Sequence, residues 1–354
     1  MDTEPRLLDH VAGSLTTGPQ SVADLIGQTP LLPLRTASND LGHNVLAKLE
    51  FLNPSGSIKD RMARYIIERA EQEGLIHPGG LLIDNSSGNT AVSVAMIAAV
   101  KGYRSLFTVP DKTSQEKLDM IRALGAEIIV CPTEVPADHP DSYYSAARRL
   151  AGELGGFLID QYHNPWNIDS HYETTGPEIW DQTKGAIDVF VAGIGTGGTL
   201  SGVAKYLKEQ NPDIRVIAVD PVGSIFYKLF YDNELTEPGR YYVEGLGSDT
   251  PCNALDMSMI DDIVQVDDDE SFKAARRLAA EEGLIVGGSS GSAVVGLYQW
   301  ARGKTGRLNI VTILPDSGMR YLSKFLSDAW MRKHSFDNGT GTTSDVGDRP
   351  PGPH

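Results

Sequence analysis

A short loop that ends in a lysine is the part of the sequence best suited to covalent chemistry. It reads Asn-Pro-Ser-Gly-Ser-Ile-Lys-Asp-Arg over residues 53–61 and precedes an amphipathic helical pattern. Its proline and glycine disfavour an earlier helix start, and Ser57 is suited to cap the helix. Lys59 then lies in the first turn, where the helix dipole and Arg61 are expected to lower the pKa of its amine. A neutral lysine amine can form a Schiff base with a carbonyl, although a solvated surface lysine would show the same local pattern.

A glycine-rich segment is suited to bind an anion. It reads Gly-Ile-Gly-Thr-Gly-Gly-Thr over residues 193–199, after a predicted strand and before a predicted helix. Glycines let the backbone approach an anion closely, and the free N–H groups of a helix start can bind phosphate. The same residues fit the dinucleotide fingerprint G-x-G-x-x-G, with Asp220 at the end of the next strand as the ribose ligand. An NAD-dependent dehydrogenase is therefore one alternative, and a glycine turn without a ligand is another.

Two serine-rich turns also follow predicted strands. Residues 86–90, Ser-Ser-Gly-Asn-Thr, could either cap a helix or bind a carboxylate through hydroxyl and backbone N–H groups. Residues 287–291, Gly-Gly-Ser-Ser-Gly, match the G-x-S-x-G pattern of hydrolases, and Asp316 and His334 follow in triad order. His334 borders a segment that we predict to be disordered, which is a poor place for a general base. The hydrolase interpretation therefore ranks below the other two.

The composition restricts the class of protein and the kind of partner. The chain has 354 residues, of which 40% are hydrophobic and 22% charged, as in ordinary globular enzymes. Its formal net charge of −16 argues against nucleic acid or anionic membrane as a partner, because phosphates would be repelled. The 37 glycines suit an α/β protein with many tight turns. The length allows two domains.

The remaining signals argue against a metal centre and a membrane protein. Neither of the two cysteines stands in a CxxC pair, and the eight histidines show no ligand spacing. We expect His163 and His171 to lie on the surface or in loops. Residues 1–20 lack the apolar core of a signal peptide, and the longest apolar run, 91–100, is too short to span a bilayer. We therefore predict a cytoplasmic protein with no metal.

Strand-like and helix-like segments alternate along the chain. This alternation predicts an α/β fold in which parallel strands are joined by crossover helices. The predicted strands lie at 45–51, 81–84, 105–109, 127–130, 188–192, 216–220, 283–292 (a strand and turn) and 309–315. Predicted helices include 59–74, 114–124, 143–154 and 270–282, together with one that ends at 99.

Taken together, these loops resemble the cysteine synthase and cystathionine β-synthase family, the fold-type II enzymes that use pyridoxal 5′-phosphate. The resemblance covers about residues 25–331 and is nearest to a cystathionine β-synthase catalytic core without heme or regulatory domain. The matching motifs are Ile-Gly-Gln-Thr-Pro at 26–30, Ser-Ile-Lys-Asp-Arg at 57–61, Ser-Gly-Asn-Thr at 87–90, Gly-Thr-Gly-Gly-Thr at 195–199, Gly-Gly-Ser-Ser-Gly-Ser at 287–292 and Leu-Pro-Asp-Ser at 314–317.

The resemblance implies a role for each loop. Lys59 would be the catalytic residue and would hold the cofactor as a Schiff base, while residues 195–199 would hold its phosphate. Asn89 would contact the ring hydroxyl, and Ser289 would face the pyridine nitrogen. The implied cofactor-binding residues are Lys59, Asn89, Gly195, Thr196, Gly197, Gly198, Thr199, Ser289, Pro315 and Asp316. The implied substrate-binding residues are Ser86, Ser87, Gly88, Asn89, Thr90, Gln161, Gly245, Leu246 and Gly247.

The resemblance also implies a reaction, β-replacement on L-serine or on O-acetyl- or O-phosphoserine through an aminoacrylate intermediate. A thiol nucleophile, homocysteine or sulfide, would give cystathionine or cysteine. The chain departs from the family at Asn85-Ser86 and Ala91, where the family usually shows Pro-Thr and Gly, and at Ser248, where the cystathionine enzymes tend to have an aromatic residue. An amine or another nucleophile, giving a non-proteinogenic amino acid, therefore stays open. A partner-binding protein without turnover is the non-enzyme alternative.

The implied fold is that of two α/β domains, similar to the tryptophan synthase β subunit, each a mostly parallel sheet flanked by helices. We expect a flexible arm at 1–20, a small domain at 53–160, a large domain of 21–52 plus 161–334, and a disordered tail at 335–354. We also expect a homodimer that binds small amino-acid substrates and neither nucleic acid nor membranes.

Overall fold

The computed structural model describes residues 18–136 and 138–336. The arm expected at 1–20 and the tail expected at 335–354 therefore lie almost wholly outside the described residues. No helix in the two described ranges combines the length and the apolar character needed to cross a membrane.

The described chain alternates between strands and helices, as the sequence predicts. The strands are β1 (Leu31–Pro33), β2 (Asn44–Leu49), β3 (Leu81–Asp84), β4 (Arg104–Pro110), β5 (Glu127–Cys131), β6 (Phe157–Leu158), β7 (Val189–Gly193), β8 (Arg215–Pro221), β9 (Asp262–Val266) and β10 (Asn309–Leu314). The helices are α1 (Arg35–Leu41), α2 (Lys59–Gln72), α3 (Asn89–Lys101), α4 (Gln115–Ala123), α5 (Tyr143–Leu154), α6 (Trp166–Ser170), α7 (Gly176–Thr183), α8 (Gly198–Gln210), α9 (Phe226–Asp232), α10 (Asp268–Arg277), α11 (Gly288–Ala301) and α12 (Asp328–Lys333). Two π-helical turns, His171–Thr175 and Leu278–Glu282, join α6 to α7 and extend α10.

The strands form two sheets, which confirms the predicted α/β class. One sheet has the order β1-β2-β10-β7-β8-β9, and the other has the order β5-β4-β3-β6. Every pairing is parallel except that of β1 with β2. Parallel strands need crossover connections, and these are the helices that cover both faces of the sheets.

The larger sheet is buried on both faces. In β7, Phe190 and Ala192 point into one hydrophobic cluster, while Val189 and Val191 point into another. Successive strand residues face opposite sides, so a strand covered on both sides must be apolar throughout. This requirement explains why β7 reads as a continuous apolar run and is easily recognised in the sequence.

The smaller sheet has its own core, built with α2 and α3. Ile66 and Ile67 of α2 pack with Leu82 of β3 and with the alanines of α3 in one cluster. The small residues along α3 allow close approach to α2 and the sheet. Lys59, the first residue of α2, is thereby fixed to the smaller sheet. The sheets divide the chain much as the predicted domains do, but the domain boundaries themselves stay a prediction.

Two local expectations are wrong. Residues 283–287 form no strand and make only a bridge between Val286 and Ser317, and α11 begins at Gly288. Ser57 is not the cap of α2, because it pairs with Asp316 in a second bridge and Ile58 precedes the helix. The loop after β10 pairs with both segments. The residues around 57 and 283–287 give no indication of this pairing.

Candidate active site

The loops that follow β3, β7 and β10 meet in one cleft. Ligands of parallel α/β proteins bind at the carboxyl ends of the strands, and all three loops lie at such ends. The cleft contains a cavity of about 720 Å³ and an adjoining one of about 40 Å³. Lys59, Gly195, Thr196 and Ser289 line both. The structure therefore brings the four chemically interesting loops of the sequence together.

Lys59 faces both cavities from the start of α2. Burial lowers the pKa of its amine, and the charge of Asp316 acts in the opposite direction. The direction agrees with the sequence prediction, but the cause does not. Arg61 is turned away into a buried ion pair with Glu50 at 2.7 Å and a second pair with Glu178 at 2.7 Å. Desolvation therefore favours the neutral amine that carbonyl chemistry requires.

The glycine loop after β7 is a close-packed cradle. A Cβ on Gly195 would lie 2.6 Å from the carbonyl oxygen of Gly245, so no side chain fits there. Gly197 has φ +94°, and a Cβ on it would lie 2.5 Å from the Cβ of Leu255. Within the described chain, the backbone N–H groups of residues 195–199 donate to no other group. They lie at the start of α8, where such groups and the helix dipole together form an anion site.

Two residues behind the cradle hold its threonine hydroxyls. Asn167 donates from Nδ2 to Thr196 Oγ1 at 2.9 Å, and Nε2 of His171 lies 3.1 Å from Thr199 Oγ1. His171 is buried, with 1% of its surface exposed, so the expectation of a surface or loop histidine is wrong for it. Asn167 belongs to none of the motifs recognised in the sequence. Its spacing of four residues from His171, which places both on one side of a helix, is the sequence signal that relates the two.

The serine-rich turn after β3 forms another wall of the large cavity. The hydroxyl of Thr90 donates to Oε1 of Gln161 at 2.6 Å, which joins two of the predicted substrate-binding residues. The backbone N–H of Gly88 donates to Ser86 Oγ at 3.3 Å. Hydroxyl, amide and backbone N–H groups thus converge at the start of α3. Such groups can bind a carboxylate.

Asp316 lies directly behind this turn. Its Oδ2 accepts hydrogen bonds from Asn89 Nδ2 at 2.8 Å and from the hydroxyl of Tyr321 at 2.7 Å. Burial raises the pKa of the Asp316 carboxyl, while these two donors act against the shift. The carboxylate therefore holds the Asn89 amide in one orientation. Its place is that of a positioning residue and not of a cavity wall.

The mouth of the cleft is bordered by the loop over residues 244–247. Gly247 donates its N–H to the carbonyl oxygen of Ile194 at 2.7 Å, which ties this loop to the glycine cradle. The carboxylate of Glu244 binds the ammonium groups of both Lys117 and Lys324. Lys117 belongs to α4, so Glu244 connects the two sides of the opening.

Most of the predicted site residues line the two cavities. Besides Lys59, thirteen of them face the larger one, namely Ser86, Ser87, Gly88, Asn89, Thr90, Gln161, Gly195, Thr196, Gly245, Leu246, Gly247, Ser289 and Pro315. Gly197 and Thr199 face the smaller one. Gly198 and Asp316 do not line either cavity. Gly198 instead packs against Asn167, whose Oδ1 would lie 2.1 Å from an added Cβ.

The residues needed by the other enzyme hypotheses are engaged elsewhere. Asp220, the ribose ligand of a dehydrogenase, is fully buried, and its carboxylate accepts from the backbone N–H of Tyr227 at 3.0 Å. His334, the base of a hydrolase triad, stacks on Trp330 with 4.1 Å between the ring centroids. Neither residue lines the cleft with Lys59. Among the described residues, no group of three or more His, Cys, Asp or Glu is placed to hold a metal.

Comparison with known proteins gives a consistent picture. The sequence model of the pyridoxal-phosphate-dependent enzyme family matches residues 22–316. Cystathionine β-synthase of Apis mellifera is 43% identical over 327 residues, which are 92% of this chain and 64% of that protein. Cystathionine β-synthase of Saccharomyces cerevisiae is 44% identical over 327 residues, which are 89% of this chain and 64% of that protein. The chain thus spans just under two thirds of the length of these relatives.

A solved structure matches over nearly its whole length. The crystal structure of O-ureido-L-serine synthase superposes with a TM-score of 0.81 and 34% sequence identity. The match covers 93% of this chain and 98% of that one. The fold therefore agrees with that of this enzyme, whose name gives a product different from that of the cystathionine β-synthases.

Proposed function

Because the chain belongs to the pyridoxal-phosphate-dependent enzyme family, we propose that it replaces the β-substituent of L-serine, or of O-acetyl- or O-phosphoserine, by a thiol. The observation that carries this proposal is the position of Lys59, whose amine is buried in the same cavity as the glycine cradle and Ser289. A buried amine beside an anion site is what an aldehyde cofactor with a phosphate needs. The roles of the individual site residues are part of the same proposal.

The residues present fit pyridoxal phosphate. The N–H groups of residues 195–199 have no partner in the described chain and can bind the phosphate. Gly195 and Gly197 leave no room for side chains, so the backbone itself forms the binding surface. Lys59 supplies the amine for the aldehyde, and Asn89, oriented by Asp316, supplies an amide beside it. Ser289 lines the same cavity.

Each loop has a distinct task in the proposed reaction. Bound pyridoxal phosphate supplies an electron sink for negative charge that develops at Cα of the substrate. The turn at 86–90, with Gln161, binds the α-carboxylate and fixes the direction of the Cα–H bond. Nζ of Lys59, whose pKa is lowered by burial, takes the Cα proton. The cleft walls keep water from the reacting carbon.

Ser289 favours β-elimination over competing reactions. It presents a hydroxyl where a carboxylate would keep a nearby ring nitrogen protonated. The hydroxyl of Ser289 would not hold such a proton, so the bound cofactor would be a weaker electron sink. A weaker sink favours rapid loss of the β leaving group over transamination. The same site is then open to a nucleophile that attacks Cβ.

The thiol is favoured by the relatives. Cystathionine β-synthases share 43–44% identity with this chain over 327 residues. Their name states a product with a sulfur at Cβ, and homocysteine or sulfide would play that part here. Lys117, Glu244 and the backbone of Gly245–Gly247 line the cavity on the side open to solvent, through which the nucleophile would enter.

A second nucleophile class is favoured by a different observation. O-ureido-L-serine synthase matches over 98% of its length, and its name states a product that carries a ureido group on the serine oxygen. Ser248 is also small where the cystathionine enzymes tend to have an aromatic residue, and it lines the large cavity. An amine, hydroxylamine or urea-type nucleophile, giving a non-proteinogenic amino acid, is therefore the alternative.

We also propose a homodimer located in the cytoplasm.

The test is a matrix of donors and nucleophiles. Purified protein loaded with pyridoxal phosphate is mixed with serine, O-acetylserine or O-phosphoserine and with homocysteine, sulfide, hydroxyurea or a simple amine, and products are identified by mass spectrometry. We expect a new Cβ–S product that is lost in Lys59→Ala. A Cβ–N or Cβ–O product with no Cβ–S product would select the second class. A wild-type protein that does not shift the absorbance band of the added cofactor and forms no product with any pair would overturn both.

A further inference from the structure

His171 lies between two threonine hydroxyls behind the glycine cradle. It begins the π-helical turn 171–175 that joins α6 to α7. Nδ1 of its ring lies 2.9 Å from Thr175 Oγ1, and Nε2 lies 3.1 Å from Thr199 Oγ1. Thr199 in turn lines the small cavity with Lys59. The imidazole is therefore the middle member of a series of hydrogen bonds that runs from the π-helical turn to the cleft.

The hydroxyl of Thr175 does not have the partner that is usual for a threonine in a helix. Thr174, the preceding residue, donates to the carbonyl oxygen of Ser170 at 2.5 Å, which is the usual bond of threonine within a helix. Thr175 Oγ1 instead has the His171 ring as its partner. The π-helical turn brings the two side chains together, and such turns occur frequently at functional sites.

The protonation state of His171 restricts which groups donate and which accept in the hydrogen bonds between Thr175, His171 and Thr199. Burial lowers the pKa of the His171 ring well below its usual value, and the charges of Lys59 and Arg61 act in the same direction. A neutral imidazole donates from one nitrogen and accepts at the other. Thr199 has a single hydroxyl proton, and an anion in the cradle can only accept. If that proton points to the anion, Thr199 Oγ1 must accept from Nε2–H.

Asn167 gives an independent precedent one helical turn earlier. Its side-chain nitrogen Nδ2 can only donate. It donates to the carbonyl oxygen of Gln161 at 2.8 Å and to Thr196 Oγ1 at 2.9 Å. The oxygen of Thr196 is thus occupied as an acceptor, and its proton is directed elsewhere. Asn167 and His171 present side-chain nitrogens from the same side to the two threonines of the cradle, and the nitrogen of Asn167 is an N–H donor. A common arrangement at both hydroxyls supports the donor role of Nε2.

We propose that His171, held in the Nε2–H form by the hydroxyl of Thr175, is a positioning residue that turns the Thr199 hydroxyl toward the phosphate of the cofactor. The inference rests on the proposed assignment of that phosphate to residues 195–199, but it is independent of the nucleophile. His171 does not touch the cofactor. It acts through Thr199, and Thr175 acts through His171.

Matched variants separate the two ring nitrogens. His171→Gln keeps an N–H near the position of Nε2, whereas His171→Asn reaches only the position of Nδ1. His163→Asn is the control, because its side chain is 38% exposed and pairs with Asp160. Dissociation constants for the apoprotein are measured with pyridoxal 5′-phosphate and with pyridoxal, which lacks the phosphate. We expect His171→Asn to weaken binding of the phosphate ester about tenfold or more and of pyridoxal less than twofold, and His171→Gln to stay within about threefold of the wild type.

Two spectroscopic readouts test the orientation directly. The ¹⁵N spectrum of labelled histidine in the loaded wild type is expected to show the proton of His171 on Nε2. The ³¹P resonance of the bound phosphate is expected to shift in His171→Asn and to keep its wild-type position in His171→Gln. If His171→Asn does not fold, Thr175→Val replaces it, with an expected partial move of the histidine proton to Nδ1 and a smaller loss of affinity.

Several results would overturn the proposal. A proton on Nδ1 in the wild type, or equal losses for pyridoxal and its phosphate ester in His171→Asn, would reduce His171 to a packing residue. Unchanged phosphate-ester affinity in His171→Asn would do the same. Failure of the proposed site itself gives a different result, namely a wild type that does not bind the ester more tightly than pyridoxal, or a Thr199→Val variant without any loss.

Discussion

Asn89 and Asp316 are joined by a hydrogen bond of 2.8 Å although 227 residues separate them in the sequence. The bond connects the turn after β3, in the smaller sheet, to the loop after β10, in the larger one. The same carboxylate is the charge that opposes the lowered pKa of Lys59. One side chain therefore links the predicted substrate turn, the predicted cofactor amide and the reactive amine.

Replacing this carboxylate is expected to change the titration of Lys59. Asp316→Asn removes the charge that favours the ammonium form, so the pKa of Lys59 should fall further and the amine should react at lower pH. The measurement is the rate of Lys59 labelling by pyridoxal and borohydride against pH, followed by mass spectrometry. Asp141→Asn is the control, because its side chain is 71% exposed. If the pH midpoint of Lys59 labelling is the same in Asp316→Asn and in the wild type, the charge of Asp316 does not influence the pKa of Lys59.

Close packing of the cradle predicts an unusually costly alanine substitution. Gly197→Ala must accept φ +94° and a Cβ 2.5 Å from that of Leu255. Gly155→Ala is a matched control, because Gly155 has φ +62° and no atom within 4 Å of an added Cβ. We expect the control to lose about 1 kcal/mol of unfolding free energy from backbone strain alone. Gly197→Ala is expected to lose a further ~1–3 kcal/mol and at least tenfold in cofactor affinity.

Denaturant unfolding and cofactor titration of both variants provide the measurement. Equal losses in the two proteins would mean that the loop can move away from Leu255. The close packing of the cradle would then not restrict residue 197.

A buried network of charges predicts an acid-sensitive contribution to stability. Glu178 accepts from Lys48 Nζ at 2.6 Å and from Arg61 at 2.7 Å, with 10% of its side chain exposed. Burial alone would raise the pKa of Glu178, but the bonds and charges of Arg61 and Lys48 lower it to about 2. Its contribution is therefore present above the ordinary value of 4.5 and is lost as the pH falls toward 2.

Glu178→Gln is expected to lose about 2–4 kcal/mol at neutral pH, because two cations lose a partner. The difference from the wild type should shrink between pH 4.5 and pH 2. Glu153→Gln, with a side chain 56% exposed, is the control and is expected to change little. Chemical unfolding at several pH values measures both. A difference that stays constant with pH would contradict the assigned pKa of Glu178.

The contact across the cleft mouth predicts a local opening. Glu244 binds both Lys117 and Lys324, so Glu244→Gln leaves two ammonium groups facing each other. We expect amide exchange in α4 and in residues 318–325 to become about threefold to fivefold faster, as for loss of about 1 kcal/mol in a partly exposed contact. Glu127→Gln, whose partner Arg104 is exposed, is the control. Exchange that is unchanged in both segments would mean that the cleft is held closed by other contacts.

Features encoded in short segments were predictable from the sequence. The helix at 143–154 was predicted with its observed bounds, because its apolar spacing is regular and its ends are marked locally. The buried strand β7 and the glycine loop after it were recognised for similar reasons. The structure adds that this loop meets the loops after β3 and β10 in one cleft, at the carboxyl ends of their strands.

Features that depend on distant residues were not predictable. His171 looks like a loop histidine until Thr199, 28 residues later, is seen beside it. Arg61 pairs with Glu50 and with Glu178, which is 117 residues away, and its position beside Lys59 in the sequence does not indicate that it turns from that residue. Ser57 has the right type and position for a helix cap, but a bridge to Asp316 takes its place. Tertiary contacts override the local preference in each case.

The position of β10 in the larger sheet has a consequence for how the chain folds while it is being translated. It lies between β2 and β7, so the larger sheet has a gap until residues 309–314 emerge from the ribosome. The last strand of the smaller sheet ends at residue 158, so all four of its strands leave the ribosome long before β10. β2 and β7 meanwhile expose unpaired edges that invite pairing with other chains. Insertion of one late strand would thus close the sheet and bring Asp316 to Asn89 in a single step.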